Sequence, residues 1–226
     1  MAPPYTEQQK ALLRELLDAG TILIGDVVRA RFGMKSPIYI DLREKLYAQP
    51  GLLMDVGREF AEKIRELTLG NPVPQCVVGI PDTATPLALA TALYAWQQRT
   101  QPEIVFAMLR KEGKTYPGLP TRYWIGTKDP NWEYNLIDDV VASGLSKRTS
   151  AAKTNLEGIA LRRIIVLFDR QQGDGLSRDG FELHGIFKVP EVMDFYLSED
   201  RIRPEEHETI IRFLQSRRFD SSPIVK

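Results

Sequence analysis

Five short apolar runs, Cys76–Ile80, Ile104–Leu109, Tyr134–Asp138, Arg163–Phe168 and Leu183–Phe187, punctuate the chain, and most show no polar/apolar alternation. A strand with one wet face alternates with period two, whereas a strand covered on both faces does not. Helical patterns stand between these runs at Thr85–Arg99 and Lys147–Gly158. Strand and helix patterns taken in turn demand a parallel sheet, because a parallel connection has to cross back over the sheet. The expected fold class is therefore α/β, a central and mainly parallel five-stranded sheet flanked by helices.

Ligands in such sheets collect beyond the carboxyl ends of the strands, so the residues that end each run carry the functional signal. The first run leads into Pro81-Asp82-Thr83, the second into Arg110-Lys111 and the third into Asp138-Asp139. The third is the most informative. Its apolar residues end in two adjacent carboxylates and are followed by Val140-Val141-Ala142-Ser143-Gly144-Leu145-Ser146 and then a helical pattern. A strand, a tight small-residue turn and a helix N-terminus make a phosphate cradle, since unpaired backbone N–H groups point at the anion. Two carboxylates beside it are acceptors suited to a pair of sugar hydroxyls. The combination indicates a ribose-phosphate site.

Outside the sheet, helices are expected at Thr6–Ala19, Gly51–Leu69, Pro190–Leu197 and Pro204–Arg218, with Gln171–Gly180 a loop. The connection from Arg110 to Glu133 is long for a compact domain and opens with Arg110, Lys111 and Lys114, which suits a functional lid over an anion site. Within it Tyr123 and Trp124 are expected to be exposed, packing on a neighbour or covering the site.

Thirty basic and thirty acidic side chains balance, which argues against a nucleic-acid surface or an electrostatically bound membrane protein. No apolar run approaches the roughly 20 residues that span a bilayer, and Met1–Glu7 has no signal-peptide pattern. Cys76 is the only cysteine and is expected to be a buried, inert thiol. Cytoplasmic localisation follows as the expectation, with no nucleic-acid or membrane partner. His184 and His207 are expected to be structural or surface residues.

Five segments in this order resemble the type I phosphoribosyltransferases, and within them the orotate phosphoribosyltransferases. They are Lys35–Arg43 (KSPIYIDLR), Gly79–Leu87 (GIPDTATPL), Arg110–Tyr116 (RKEGKTY), Leu136–Ser146 and Asp169–Gly173 (DRQQG). The resemblance implies one phosphoribosyltransferase domain over 1–226: N-terminal helices and hood to about 70, a core over about 71–190, and C-terminal helices completing the hood. It implies transfer of ribose 5-phosphate from phosphoribosyl pyrophosphate (PRPP) to orotate, giving orotidine 5′-phosphate and pyrophosphate in pyrimidine nucleotide synthesis. Mg2+ would arrive bound to PRPP, with no metal site of the protein's own. By resemblance, Asp138 and Asp139 engage the ribose hydroxyls, and Val140, Val141, Ala142, Ser143, Gly144, Leu145 and Ser146 form the 5′-phosphate loop. Arg110, Lys111 and Lys114, with Tyr116, form a mobile lid that neutralises pyrophosphate and, in a homodimer, reaches the partner's site. Arg170 would recognise orotate through its planar donor fork. Tyr39 and Ile40 would flank the base, and Arg31 would take the place of a lysine contacting base or pyrophosphate. Asp138, Asp139, Lys111 and Lys114 are the residues expected to carry catalysis.

The chain departs from the family pattern in three places. The phosphate loop reads Ala142-Ser143-Gly144-Leu145 where relatives carry hydroxyls at the first and last positions, so Ser143, Ser146 or Lys147 would have to compensate. Asp82 replaces a common tyrosine and would repel pyrophosphate. The lid is unusually aromatic. These departures leave open a phosphoribosyltransferase-like protein that binds nucleotides and turns over poorly, or a transferase for another base.

Overall fold

The computed structural model describes residues 5–30, 34–173 and 175–216, with the backbone alone described at 26–30 and 34–35. Helix α1 (Glu7–Asp18) opens with a capping box: the Thr6 hydroxyl accepts from the Gln9 N–H, and the Gln9 side chain accepts from the Thr6 N–H. A hairpin follows, β1 (Ile22–Ala30) antiparallel to β2 (Met34–Ile40), in the stretch where the sequence pattern shows no strand. Beyond α2 (Pro50–Leu67), the core runs β3 (Gln75–Gly79), α3 (Thr85–Gln98), β4 (Ile104–Lys114), β5 (Arg122–Ile125), β6 (Glu133–Val141), α4 (Leu145–Leu156), β7 (Leu161–Asp169), α5 (Gly175–Arg178) and β8 (Glu182–Lys188). Helices α6 (Val189–Ser198) and α7 (Pro204–Ser216) close the described chain, and α7 packs on β2 to complete the hood. The expected end of this helix at Arg218 lies outside the described residues.

The large sheet has the order β5-β4-β3-β6-β7-β8. Five strands are parallel as expected; the sixth, β5, is antiparallel to β4 and comes from the connection expected to be loop. Two further segments differ from expectation. Trp124 is buried against the ring of Tyr134, with centroids 5.7 Å apart, because β5 turns it inward. The Gln171–Gly180 loop contains the short helix α5.

Chain direction places the ligand cleft. The β3-to-β4 crossover runs toward one edge of the sheet and the β6-to-β7 crossover toward the other. Both crossovers are right-handed by the usual rule, so α3, packed with α2, covers one face and α4 the other. Between β3 and β6 the two connections diverge and leave a crevice at the strands' carboxyl ends. Gly79 keeps that end tight: a Cβ there would stand 2.1 Å from the Ala84 carbonyl oxygen, so a side chain would force the 80–84 turn away from the sheet.

The opposite end of the sheet is held by a buried polar cluster. Arg163 donates to Glu133 at 2.8 Å and approaches Asn135 and Gln75, while Asn135 donates to Gln75 at 2.9 Å. Burial pushes the Cys76 thiol up to about 12, consistent with an inert core residue. Among the described residues no helix is long and apolar enough to cross a membrane.

Candidate active site

A cleft of about 470 Å3 opens at the switch point between β3 and β6. The end of β3 contributes Ile80, Pro81 and Thr83; the end of β6 and its turn contribute Asp138, Asp139, Val140 and Ala142–Lys147. Arg170 enters from the end of β7, and Ile38, Tyr39, Ile40 and Arg43 come from the hairpin and the residues after it.

The two adjacent carboxylates are not equivalent. Asp138 is buried, and its Oδ2 accepts from the Lys147 ammonium while its Oδ1 accepts from the Asp139 N–H at 2.9 Å. Asp139 is half-buried at the cleft wall, with Oδ1 accepting from the Val140 N–H at 2.7 Å. Burial and the adjacent Asp138 charge push the Asp139 carboxyl up to about 8, against the pull of Lys147. The pair taken together in the sequence is thus one internally committed carboxylate and one at the cleft wall with a single oxygen on a backbone N–H.

The turn after β6 is shaped for an anion. Gly144 has φ +76° and is the N-cap of α4, and a Cβ on it would stand 2.7 Å from Leu176 Cγ. The left-handed region and the close approach both call for glycine. Ser143 is exposed and Ser146 half-buried, and Leu145 projects with half its surface exposed. Arg148 braces the turn from behind, donating to the Ser143 carbonyl at 2.9 Å and to Asp179. Val141 is buried and does not line the cleft.

Arg170 is largely desolvated, which lowers its pKa below the ordinary arginine value. Its guanidinium stands 5.6 Å from the centre of the Phe213 ring, and its buried Nε has no hydrogen-bond partner. Asp169 does not pair with it, since Asp169 Oδ1 accepts from the Gln171 N–H at 2.8 Å. A largely desolvated cation on a cleft wall, with no carboxylate paired to it among the described residues, is a place for an anionic ligand. Across the cleft, Arg43 is held by Asp41 through bonds of 2.9 and 2.8 Å and donates to the Tyr39 hydroxyl at 2.9 Å. Tyr47 anchors this arm by donating to the Thr83 carbonyl. Burial, then the charges of Asp139 and Asp138, raise its pKa.

Other expected site residues lie elsewhere. Arg110, Lys111 and Lys114 sit on the outer half of β4 and do not line the cleft, and Lys114 stacks 4.9 Å over the Tyr116 ring. Asp82 is exposed, does not line the cleft, and stands 3.8 Å from the Lys111 ammonium. Arg31 lies outside the described residues. His207 meets Asp194 at 2.7 Å, and burial lowers the pKa of the half-buried His184. The sequence did not place Arg43, Tyr47 or Thr83 in the site, and it offered Lys147 only as a substitute for the missing hydroxyls of the phosphate turn. Arg43 closes the KSPIYIDLR run and Lys147 follows the phosphate turn directly, so both were adjacent to a recognised signal.

The parallel strand order, the switch-point cleft and the carboxylate pair before a phosphate turn define a type I phosphoribosyltransferase fold. No protein-family model matches the chain. It is 30% identical over 224 residues to uridine 5′-monophosphate synthase of Bos taurus, covering 96% of this chain and 44% of that protein. It is 30% identical over 185 residues to an orotate phosphoribosyltransferase of Caenorhabditis elegans, covering 80% of this chain and 75% of that one. The solved structure of Leishmania donovani UMP synthase superposes with a TM-score of 0.74 at 23% identity, over 92% of this chain and 42% of the other. The chain belongs to the orotate phosphoribosyltransferase family. It spans less than half the length of the curated monophosphate synthases it matches, 44% and 39% of them.

Proposed function

We propose that the chain transfers ribose 5-phosphate from PRPP to a ring nitrogen of orotate, releasing pyrophosphate. The observation that carries this reading is Arg170, a largely desolvated guanidinium with no carboxylate paired to it among the described residues, in the same cleft as Asp139 and the turn after β6. Orotate is planar and carries a carboxylate beside the ring nitrogen. It would supply the anion that Arg170 lacks, with Tyr39 and Ile40 as the adjacent walls.

In the reaction the C1′–O bond to pyrophosphate breaks as the C1′–N bond forms, and positive charge builds on the ribose ring between the two events. The backbone N–H groups of 142–146 and the hydroxyls of Ser143 and Ser146 would hold the 5′-phosphate. Asp139 would accept from the ribose hydroxyls and, in its ionised form, favour the developing ring cation. Fixing the phosphate at one end and the base at Arg170 brings the reacting atoms into line, which is worth several orders of magnitude in rate. Mg2+ would come with the substrate, carried on PRPP oxygens and water.

Lys111, Lys114 and Arg110 stand on an extended hairpin away from their own cleft, which supports their service in a second copy's site within a homodimer. The balanced charge and lone buried thiol support a cytoplasmic enzyme. The test is loss of orotate absorbance with PRPP and Mg2+, repeated for Arg170→Lys. A planar fork replaced by a point charge should raise the orotate KM about tenfold or more and leave the PRPP KM near wild type. An Arg170→Lys enzyme with an unchanged orotate KM would refute the assignment of the base site. A second reading, nucleotide binding with little turnover, is favoured by Ala142 and the exposed Leu145 in the phosphate turn. It predicts binding of orotidine 5′-monophosphate by calorimetry with no pyrophosphate release.

A further inference from the structure

Lys147 occupies the first turn of α4, directly behind the phosphate turn, and its side chain is only 3% exposed. Its ammonium donates to Asp138 Oδ2 and to the Val140 carbonyl, tying the end of β6 to the start of α4. A buried ion pair has to recover a large desolvation penalty, and an apolar residue is often as stable or more so in its place. This pair also lines the ligand cleft, so its consequence falls on ligand binding as well as on stability.

The charged groups around the carboxylates leave Lys147 without a substitute. From β6 come Asp138 and Asp139; from the 41–47 arm come Asp41, Arg43 and Tyr47; from α4 comes Lys147. Arg43 is committed to Asp41 through two bonds, and Arg148 turns away to Asp179. Lys147 is the one cation bonded to Asp138 among the described residues. Both Asp138 oxygens are engaged inside the protein, whereas Asp139 has one oxygen on the Val140 N–H.

We propose that Lys147 is a positioning residue of the sugar-phosphate site, fixing the 140–144 turn for the phosphate and committing Asp138 internally so that Asp139 alone reads the ribose hydroxyls. This rests on the ribose-phosphate part of the proposed function and not on the identity of the base. It also offers a physical substitute for the hydroxyls that Ala142 and Leu145 lack: the turn is stapled from within by an ammonium.

The test is calorimetric titration of the full chain with ribose 5-phosphate across pH 5–9, which requires no turnover. Lys147→Met conserves volume and removes the charge. It should weaken binding about tenfold or more, the loss expected for a charged hydrogen bond. Without the ammonium the two carboxylates compete for one proton, so the pH at which affinity reaches half its alkaline limit should move up. Asp138→Asn, with Lys147 kept, should move that midpoint down, and it decides the matter if Lys147→Met does not fold. Wild-type affinity and an unmoved midpoint in Lys147→Met, or an unmoved midpoint in Asp138→Asn, would reduce Lys147 to a structural residue and overturn the proposal. Wild-type protein that binds ribose 5-phosphate but consumes no orotate would sink the proposed base and leave Lys147's role standing. Wild-type protein that does not bind ribose 5-phosphate would overturn both.

Discussion

Substituting Gly144 by alanine tests the geometry of the phosphate turn directly. The residue has φ +76°, where a Cβ costs about 1–2 kcal/mol. The new methyl would also stand 2.7 Å from Leu176 Cγ, too close for a real contact, and a tight 3.0 and 3.1 Å from its two methyls. Leu176 is buried and has little room to retreat, so overpacking adds about 1–3 kcal/mol. Together these give a loss of about 2–5 kcal/mol. A chain of this size loses about 2–4 °C per kcal/mol, so the melting temperature should fall by roughly 4–20 °C. Denaturant melts with and without Leu176→Ala complete a double-mutant cycle. In the Leu176→Ala background the clash is gone and the cost of Gly144→Ala should shrink to the backbone part, about 1–2 kcal/mol. Equal costs in the two backgrounds would refute the packing argument, and no cost in either would refute the turn conformation itself.

At the other end of the sheet, Arg163→Met should cost about 3 kcal/mol in urea unfolding, because Glu133, Asn135 and Gln75 lose their shared cation. The PRPP KM should stay put, since the cluster lies at the strands' amino ends, and a kinetic effect without a stability loss would contradict this. Glu157 is buried just past α4 and accepts from the Tyr123 and Trp124 N–H groups and from Lys128. Glu157→Gln should cost about 1–2 kcal/mol and accelerate hydrogen exchange at those two amides, whereas unchanged exchange would show that the clamp on β5 is unimportant. The Asp139 carboxyl, pushed up to about 8 by burial and then by Asp138, holds its proton more tightly folded than unfolded. Its contribution to stability is full below its unfolded value of about 4 and is lost as pH rises toward 8. Asp139→Asn should therefore raise the melting temperature at pH 8 relative to wild type and change it little at pH 4, and a difference independent of pH would refute the raised pKa.

The parallel core was legible in the sequence because burial on both faces imprints continuous apolar runs, and α2, α3 and α4 lie where helical periodicity places them. The hairpin of β1 and β2 was not legible. Its Lys35-Ser36-Pro37 stretch reads as loop locally, and pairing between distant residues such as Ile22 and Ile40 leaves no short-range signal. Strand β5 was hidden for a related reason: an edge strand of four residues inside a Gly/Pro-rich segment is defined by its partner β4.

For the site, sequence alone determined the chemistry available: two carboxylates at a strand end, a small-residue turn before a helix, and an arginine after the next strand. These signals are local in the chain, and a phosphate cradle is a local structure. Only the tertiary structure decided how those groups divide the work. Lys147, nine residues beyond Asp138, folds back onto it and makes the acid pair unequal. Arg170 and Asp169 are neighbours in sequence yet do not pair, which leaves the guanidinium without a carboxylate partner at the cleft wall among the described residues. Charge pairing and desolvation depend on distance through space, and this fold sets those distances by bringing β3, β6, β7 and the β1–β2 hairpin to one cleft.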